Sequence, residues 1–393
     1  MTKTEQLAHS TTFKDYFTYY GLDQADILLA IKEAVGLTPE DIIYLSGSLI
    51  EGIGNKQSDI DAYIISARDL SSLKIGPGIF IQFGGRCIDL EWWTPDKVFE
   101  LIERLENRPW NHVFDIRDSL AFSHDDLDFL HRLRIGIPLF GEAEFDKLYD
   151  RVNSLSLSRL LFDRATSAIP PFQQDLIGLL QDEDFATTML VCHKFLGFVA
   201  DILLSGVGVT NPSEKWRLRK ISRVDPKLFN SLAGPRLEPD PATYFYKLLS
   251  ANFASLAEWT EHVYHCVNLA NRIIPWALKR IISGEVEKVC LPETVASRPK
   301  RKKSHIAEQL PSLGLNTIVR WEQPEVLVQH LETGVQARFN AVTLEVLGWF
   351  DGVSTTVDAA TSLSKFSGSD LDSALTSVHD LNNVLQHFGM TRI

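Results

Sequence analysis

The sequence predicts an α/β (α+β) first domain with a mixed sheet, then an α-helical domain, then a small C-terminal unit of strands and helices. Three observations predict it. Short runs rich in Ile, Tyr, Phe and Trp, bounded by Gly, Pro or Ser, crowd the first hundred residues. From about Leu127 to Ser283 the pattern is mostly helical and poor in turn residues. Between Leu291 and Pro311 the composition changes abruptly to prolines and basic residues. The expected boundaries are 1–125, 126–290, a basic linker at 291–311, and 312–393.

Taken in order, Asp23 to Val35 has the apolar spacing of a helix. Strands are expected at Ile42 to Ser46, Asp59 to Ser66, Ile79 to Phe83 and Arg86 to Trp93, with Gly84-Gly85 as a tight turn between the last two. Thr94-Pro95 opens a helix through about Leu105, since Thr suits a cap and Pro the first helical position. Long helices follow at Phe185 to Leu204, Tyr244 to Leu256 and Trp259 to Ile282. In the last unit, strands at Val326 to His330 and Val335 to Phe339 flank Glu332-Thr333-Gly334, and helices follow near Ala341 to Trp349, Thr356 to Phe366 and Ser369 to Gln386.

Composition narrows the function classes. With 45% hydrophobic and 23% charged residues the chain is an ordinary globular one, and a net charge of -12 argues against a surface built for bulk nucleic-acid binding. Cys87, Cys192, Cys266 and Cys290 form no CxxC pair, so neither a zinc knuckle nor a disulfide framework is expected. No signal-like N-terminus is read, and the longest apolar stretch, Phe195 to Val209, is interrupted by Asp201, so the expectation is a cytoplasmic protein with no membrane partner. The run Arg298-Pro299-Lys300-Arg301-Lys302-Lys303 reads as a solvated linker or as a contact for phosphate or an acidic peptide.

Chemistry concentrates in YLSGSLIEGIGNKQSDIDAYII, Tyr44 to Ile65. A strand that turns at Gly47-Ser48 into a helix presents backbone N–H groups to an anion, and Ser48 adds a hydroxyl donor. Asp59 and Asp61, two residues apart, project from one face of the next strand, where their repulsion favours a divalent cation; hard oxygen ligands suit magnesium. A pair of ions needs a third acid from another strand. Asp89 and Glu91 share one face of Arg86 to Trp93, and alternation alone cannot choose between them.

Gly47-Ser48, ten intervening residues, Asp59-Ile60-Asp61 and then Ile88-Asp89-Leu90 resemble the DNA polymerase beta-type nucleotidyltransferase superfamily over roughly the first 110 residues. The resemblance implies that Gly47 and Ser48 hold nucleotide phosphates and that Asp59, Asp61 and Asp89 bind two Mg2+ ions, with an NTP such as ATP as co-substrate. In one respect the chain departs from many small members, which carry Ala-Arg-Gly where this chain has Ile50-Glu51-Gly52, so the usual basic residue is missing there. Lys215, Arg219 and Arg223 share one face if their segment is helical and could supply that charge; a solvated basic face is the alternative. His193 reads as a core or cleft histidine, and the His262, His265, Cys266 group as one helical face lacking the further ligands of a metal set.

A second resemblance covers about Ser312 to Ile393. The strand-turn-strand around Thr333-Gly334, then Phe339-Asn340-Ala341, an apolar helix, Trp349-Phe350-Asp351-Gly352, Val357 and Ala360 are similar to the winged-helix-like PqqD fold, the RiPP recognition element. That family binds the leader of a ribosomally made precursor peptide, and an added strand at a sheet edge is the physical route. Together the two resemblances imply an enzyme that transfers a nucleoside monophosphate from an NTP to a peptide, releasing pyrophosphate. The alternatives are the same chemistry on an aminoglycoside-like small molecule or a toxin-antitoxin partner, and a catalytically inactive peptide-binding scaffold. The last unit could instead be a structural winged helix or a dimerisation cap.

Overall fold

The computed structural model describes residues 17–18, 21–55, 58–73, 78–84, 86–108, 121–233, 240–284, 307–322 and 325–392. Gly85, Cys290 and the basic run at 298–303 lie outside them. The chain divides into two compact units, one of residues 1–109 and 122–157, the other of 110–121 and 158–393.

The first unit is built on a mixed five-stranded sheet in the order β3-β4-β2-β1-β5, with β1 at Ile42–Leu45, β2 at Ile60–Ile65, β3 at Ile79–Phe83, β4 at Arg86–Trp93 and β5 at Ile137–Phe140. Only β2 and β4 run parallel; the other neighbours are antiparallel. Alternation divides the sheet cleanly. On one face Ile43, Leu45, Ile60, Ala62, Ile64, Ile88 and Leu90 are buried in a core with Ile27 and Ile31 of α1 (Gln24–Val35). The other face carries Tyr44, Asp61, Tyr63, Asp89, Glu91 and Trp93, as the pairings Tyr44↔Tyr63, Asp61↔Asp89, Tyr63↔Glu91 and Ile65↔Trp93 require. Gly47–Ile50 forms the single turn α2 straight after β1, and α3 is Pro95–Glu106.

Sequence pattern alone did not reach β5. It lies in the stretch read as helical, yet it pairs with β1 at the sheet edge. Pro138 explains both facts: it disfavours helix at Ile137 and, lacking an N–H, is tolerated in an edge strand. The helices around it, α4 (His124–Ile135) and α5 (Glu142–Arg151), therefore belong to the first unit. Phe129 of α4 stacks within 4.1 Å of Trp93, and Phe145 of α5 lies 5.1 Å from Tyr44, ring centre to ring centre, so these helices pack on the polar face of the sheet.

In the second unit, α6 (Ser154–Gln181), which begins in the first unit, α7 (Phe185–Gly206) and α11 (Leu256–Ile282) are the long helices; α8 (Arg217–Ile221), α9 (Pro226–Ala233) and α10 (Pro241–Leu249) are short. Gly206 lets α7 meet α11 closely, since a Cβ there would stand 2.7 Å from that of Ala277. By length and composition α7 could cross a membrane, and 61% of its apolar window is buried inside the protein.

Residues beyond 307 form an antiparallel sheet of β6 (Thr317–Glu322), β7 (Glu325–His330) and β8 (Gln336–Asn340), followed by α12 (Leu344–Leu347), α13 (Thr356–Ser367) and α14 (Leu371–His387). β6 is a third strand where two were expected. This sheet packs into the helical unit. The Gln173 amide of α6 donates to the carbonyls of Leu315 and, at 3.1 Å, Thr317. Arg272 of α11 lies 3.1 Å from Asp351, whose side chain is only 2% exposed and also accepts from the N–H groups of Val353 and Ser354.

Candidate active site

The parallel pairing of β2 with β4 places Asp61 directly beside Asp89. Asp59 precedes β2 and is exposed, where a strand position was expected. Its entry is held by Ser58, whose carbonyl accepts from Arg86 Nη1 at 3.0 Å and whose hydroxyl accepts the Asn55 N–H at 2.9 Å. Gly78 leaves room for Asp89, since a Cβ there would lie 2.4 Å from its Oδ1.

Gly47 brings the turn against the Asp61 carboxylate. Its φ is +82°, a left-handed value that side chains rarely adopt, and a Cβ would fall 1.8 Å from Asp61 Oδ2 and 2.3 Å from Arg132 Nη1. Ser48 is buried and its carbonyl accepts the N–H groups of Ile53 and Gly54 at 2.9 and 2.8 Å, folding the following loop back over the turn. Ser46 ties the turn to α4 by donating its hydroxyl to the Arg132 carbonyl at 2.7 Å.

Arg132 is the side chain in this cluster that sequence reasoning missed. Its Nη1 lies 3.3 Å from Asp61 Oδ2 and its Nε 3.2 Å from Asp128 Oδ2, one helical turn away. A helical spacing to Asp128 was visible, but nothing local pointed across 71 residues to Asp61. A cation from α4 thus stands by the turn, whose own sequence lacks the basic residue expected there. Glu51, which stands where that residue was expected, is nearly buried and lies 3.5 Å from His131 of the same helix.

Electrostatics tie the three aspartates together. Burial, opposed by Arg132 and reinforced by Asp59 and Asp89, pushes the Asp61 carboxyl up to about 6. Asp89 is raised too, by burial and then by Asp59. Burial would lower the Arg132 guanidinium, but Tyr63, Asp61, Asp128 and Glu51 around it raise it instead.

No family model matches this chain, and no curated protein does.

Glu91, the other candidate for the third acid, faces Tyr63 and not Asp61. It accepts the Trp93 indole N–H at 2.7 Å, and burial raises its carboxyl while the Trp93 and Tyr63 hydrogen bonds oppose that. Register therefore sets Asp89 beside Asp61 and engages Glu91 elsewhere. Lys215 and Arg219 belong to the second unit, where both lie over the Trp216 ring, at 5.0 and 5.1 Å from its centre. Their segment is not one continuous helix: a 3-10 turn at Glu214–Trp216 precedes α8, and Arg223 follows its end.

The donor set fits a hard cation. Asp59, Asp61 and Asp89 offer only carboxylate oxygen, and burial, with the neighbouring acids adding to it, raises the carboxyls of Asp61 and Asp89, a cost that a divalent ion would offset. The three carboxylates are not drawn within 4.8 Å of one another; among the described residues, the ligating side chains that are so drawn are Cys192, His262 and Cys266.

Proposed function

We propose that the chain is a magnesium-dependent nucleotidyltransferase of the DNA polymerase beta type, moving a nucleoside monophosphate from an NTP, with ATP the first choice, to a ribosomally made peptide. The observation that carries this reading is the in-register Asp61–Asp89 pair beside the Gly47 turn. Asp59, Asp61 and Asp89 would hold the metal. Bound there, Mg2+ would make the attacking hydroxyl more acidic and offset the charge developing on the triphosphate. The Gly47-Ser48 backbone approaches the phosphates, and Arg132 exchanges part of its contact with Asp61 for them. In the transfer, an acceptor oxygen forms a bond to the α-phosphorus, the bond to the β-phosphate oxygen breaks, and pyrophosphate departs. The acceptor proton leaves to a carboxylate or to water.

The peptide partner rests on the C-terminal sheet, read as PqqD-like. Among the described residues β8 pairs only with β7, leaving an edge that an extended leader can extend, while the start of β6 is engaged by Gln173. Transfer is tested by incubating the protein with α-labelled NTPs, Mg2+ and candidate precursor peptides. Label on the peptide is the expected result. Label only on an aminoglycoside-like acceptor or a toxin-antitoxin partner replaces the peptide reading, and peptide binding without any transfer marks an inactive scaffold.

Lys215 and Arg219 stand, on the sequence alone, as a source of positive charge for the triphosphate, with a solvated basic face as the alternative. Lys215→Ala is expected to raise the KM for nucleotide by about 10-fold, the cost of a charged hydrogen bond. Steady-state kinetics showing an unchanged KM would take Lys215 out of the proposal.

A further inference from the structure

A second cluster lies in the helical unit and plays no part in the chemistry above. Cys192 comes from α7, and His262 and Cys266 from successive turns of α11. Their sulfurs and a ring nitrogen all lie within 4.8 Å of one another. All three residues are buried, Cys192 at 1%, Cys266 at 0% and His262 at 7% exposure. The geometry points to a structural site for a thiophilic d10 metal ion, Zn2+ or Cu+, clamping α7 to α11.

Three observations support it. First, His262 Nε2 stands 3.6 Å from Cys266 Sγ. Nitrogen and sulfur ligands of one tetrahedral zinc, with bonds of ~2.05 and ~2.3 Å, are separated by about 3.6 Å, so the pair is already at ligand spacing. Second, the neighbouring histidines are committed elsewhere: His193 Nε2 meets the Leu249 carbonyl and His265 Nε2 the Tyr244 hydroxyl. His262 alone of the three faces the thiols. Third, the donors are two sulfurs and an imidazole with no carboxylate among them, and the Phe253 and Trp259 rings lie 5.2 and 5.8 Å from the His262 ring. Soft donors in an apolar setting select Cu+ or Zn2+ over the hard cation assigned to the aspartates. Three ligands complete a trigonal Cu+ site, whereas Zn2+ would take a fourth ligand from water.

Binding replaces two S–H bonds by two metal–sulfur bonds and releases both protons to solvent. Because the two ligand-bearing helices are the closely packed core pair, an ion here would stabilise the folded state and leave the unfolded chain largely unaffected. A 3.6 Å contact of this kind also suits a thiol donating to imidazole, and the experiment separates the two.

Full-length protein, purified under reducing conditions without chelator, would be assayed for zinc and copper by mass spectrometry of the elements. It would then be stripped and titrated with Zn2+ and, anaerobically, with Cu+. Expected are uptake of about one equivalent per chain and a rise in melting temperature on loading. Cobalt substitution should give a thiolate-to-metal charge-transfer band if zinc is the occupant, and stoichiometric Cu+ uptake without Zn2+ uptake marks the trigonal alternative. Cys192→Ser and His262→Gln should lose the metal, while Cys87→Ser should keep it. Folded wild-type protein with reduced thiols that takes up neither ion would overturn the proposal, as would a native Cys192–Cys266 disulfide. Should a variant fail to fold, the wild-type titration decides alone.

Discussion

Asp61→Asn is expected to slow transfer severely while making the metal-free protein more stable at neutral pH. The loss follows from removing a central carboxylate of the proposed metal set, at a cost on the order of 10²–10³-fold in kcat, as for other preorganised electrostatic groups. The gain follows from the raised carboxyl. With its folded-state value at about 6 against an ordinary 3.8, Asp61 holds its proton more tightly in the folded protein than in the unfolded chain. Its contribution to stability is full below about 3.8 and is lost as pH rises through about 6. The difference is at most about 3 kcal/mol, at ~1.4 kcal/mol per pH unit. Asparagine carries no charge to repel Asp59 and Asp89. Urea unfolding in EDTA should therefore show wild-type stability falling between pH 4 and 7 by more than that of Asp61→Asn, with Mg2+ restoring the wild type alone. Parallel pH profiles for the two proteins would mean that the Asp61 carboxylate is not under strain.

Gly47→Ala is expected to be nearly as damaging, by a different route. The added methyl must occupy space where Asp61 Oδ2 and Arg132 Nη1 now stand, and the backbone must keep a φ of +82°. Left-handed strain alone costs about 1–2 kcal/mol. Displacing Arg132 adds to it, because its guanidinium is largely buried and also holds Asp128. Transfer should be lost along with a few kcal/mol of stability. Gly84→Ala is the control, since Gly84 also has a positive φ, +54°, but nothing lies within 4 Å of its added methyl. It should pay only the backbone strain and retain activity. If thermal melts and transfer assays show the two substitutions to be equivalent, close approach at Gly47 has no functional weight.

Much of this site was legible because strands repeat every two residues. Asp61, and Asp89 between Ile88 and Leu90, could be assigned to a polar face from spacing alone, whereas Asp59, expected on the strand, lies just before it; the Gly47-Ser48 turn was marked by composition. Register was not legible. Whether Asp89 or Glu91 faces Asp61 depends on how β4 slides along β2, which no local pattern encodes. Nor was Arg132 legible, because α4 and β5 were grouped with the helical domain and their packing on the first sheet is a long-range choice. Cys192 escaped for the same reason: its partners lie on a helix seventy residues away, and only the α7–α11 packing joins them. The C-terminal unit shows the converse. Its strands and helices were mostly visible from sequence, yet Asp351, part of the Asp-Gly signature, pairs with Arg272 of the helical unit, an attachment that no pattern within 312–393 could announce.

The most direct test of the account is Mn2+ binding followed by electron paramagnetic resonance in the presence of a non-hydrolysable NTP. The wild type should bind Mn2+ tightly with the nucleotide, Asp61→Asn and Asp89→Asn should lose most of that binding, and Glu91→Gln should keep it. Equal Mn2+ affinity in the wild type and both aspartate variants would contradict the assignment of these carboxylates as the metal-binding centre.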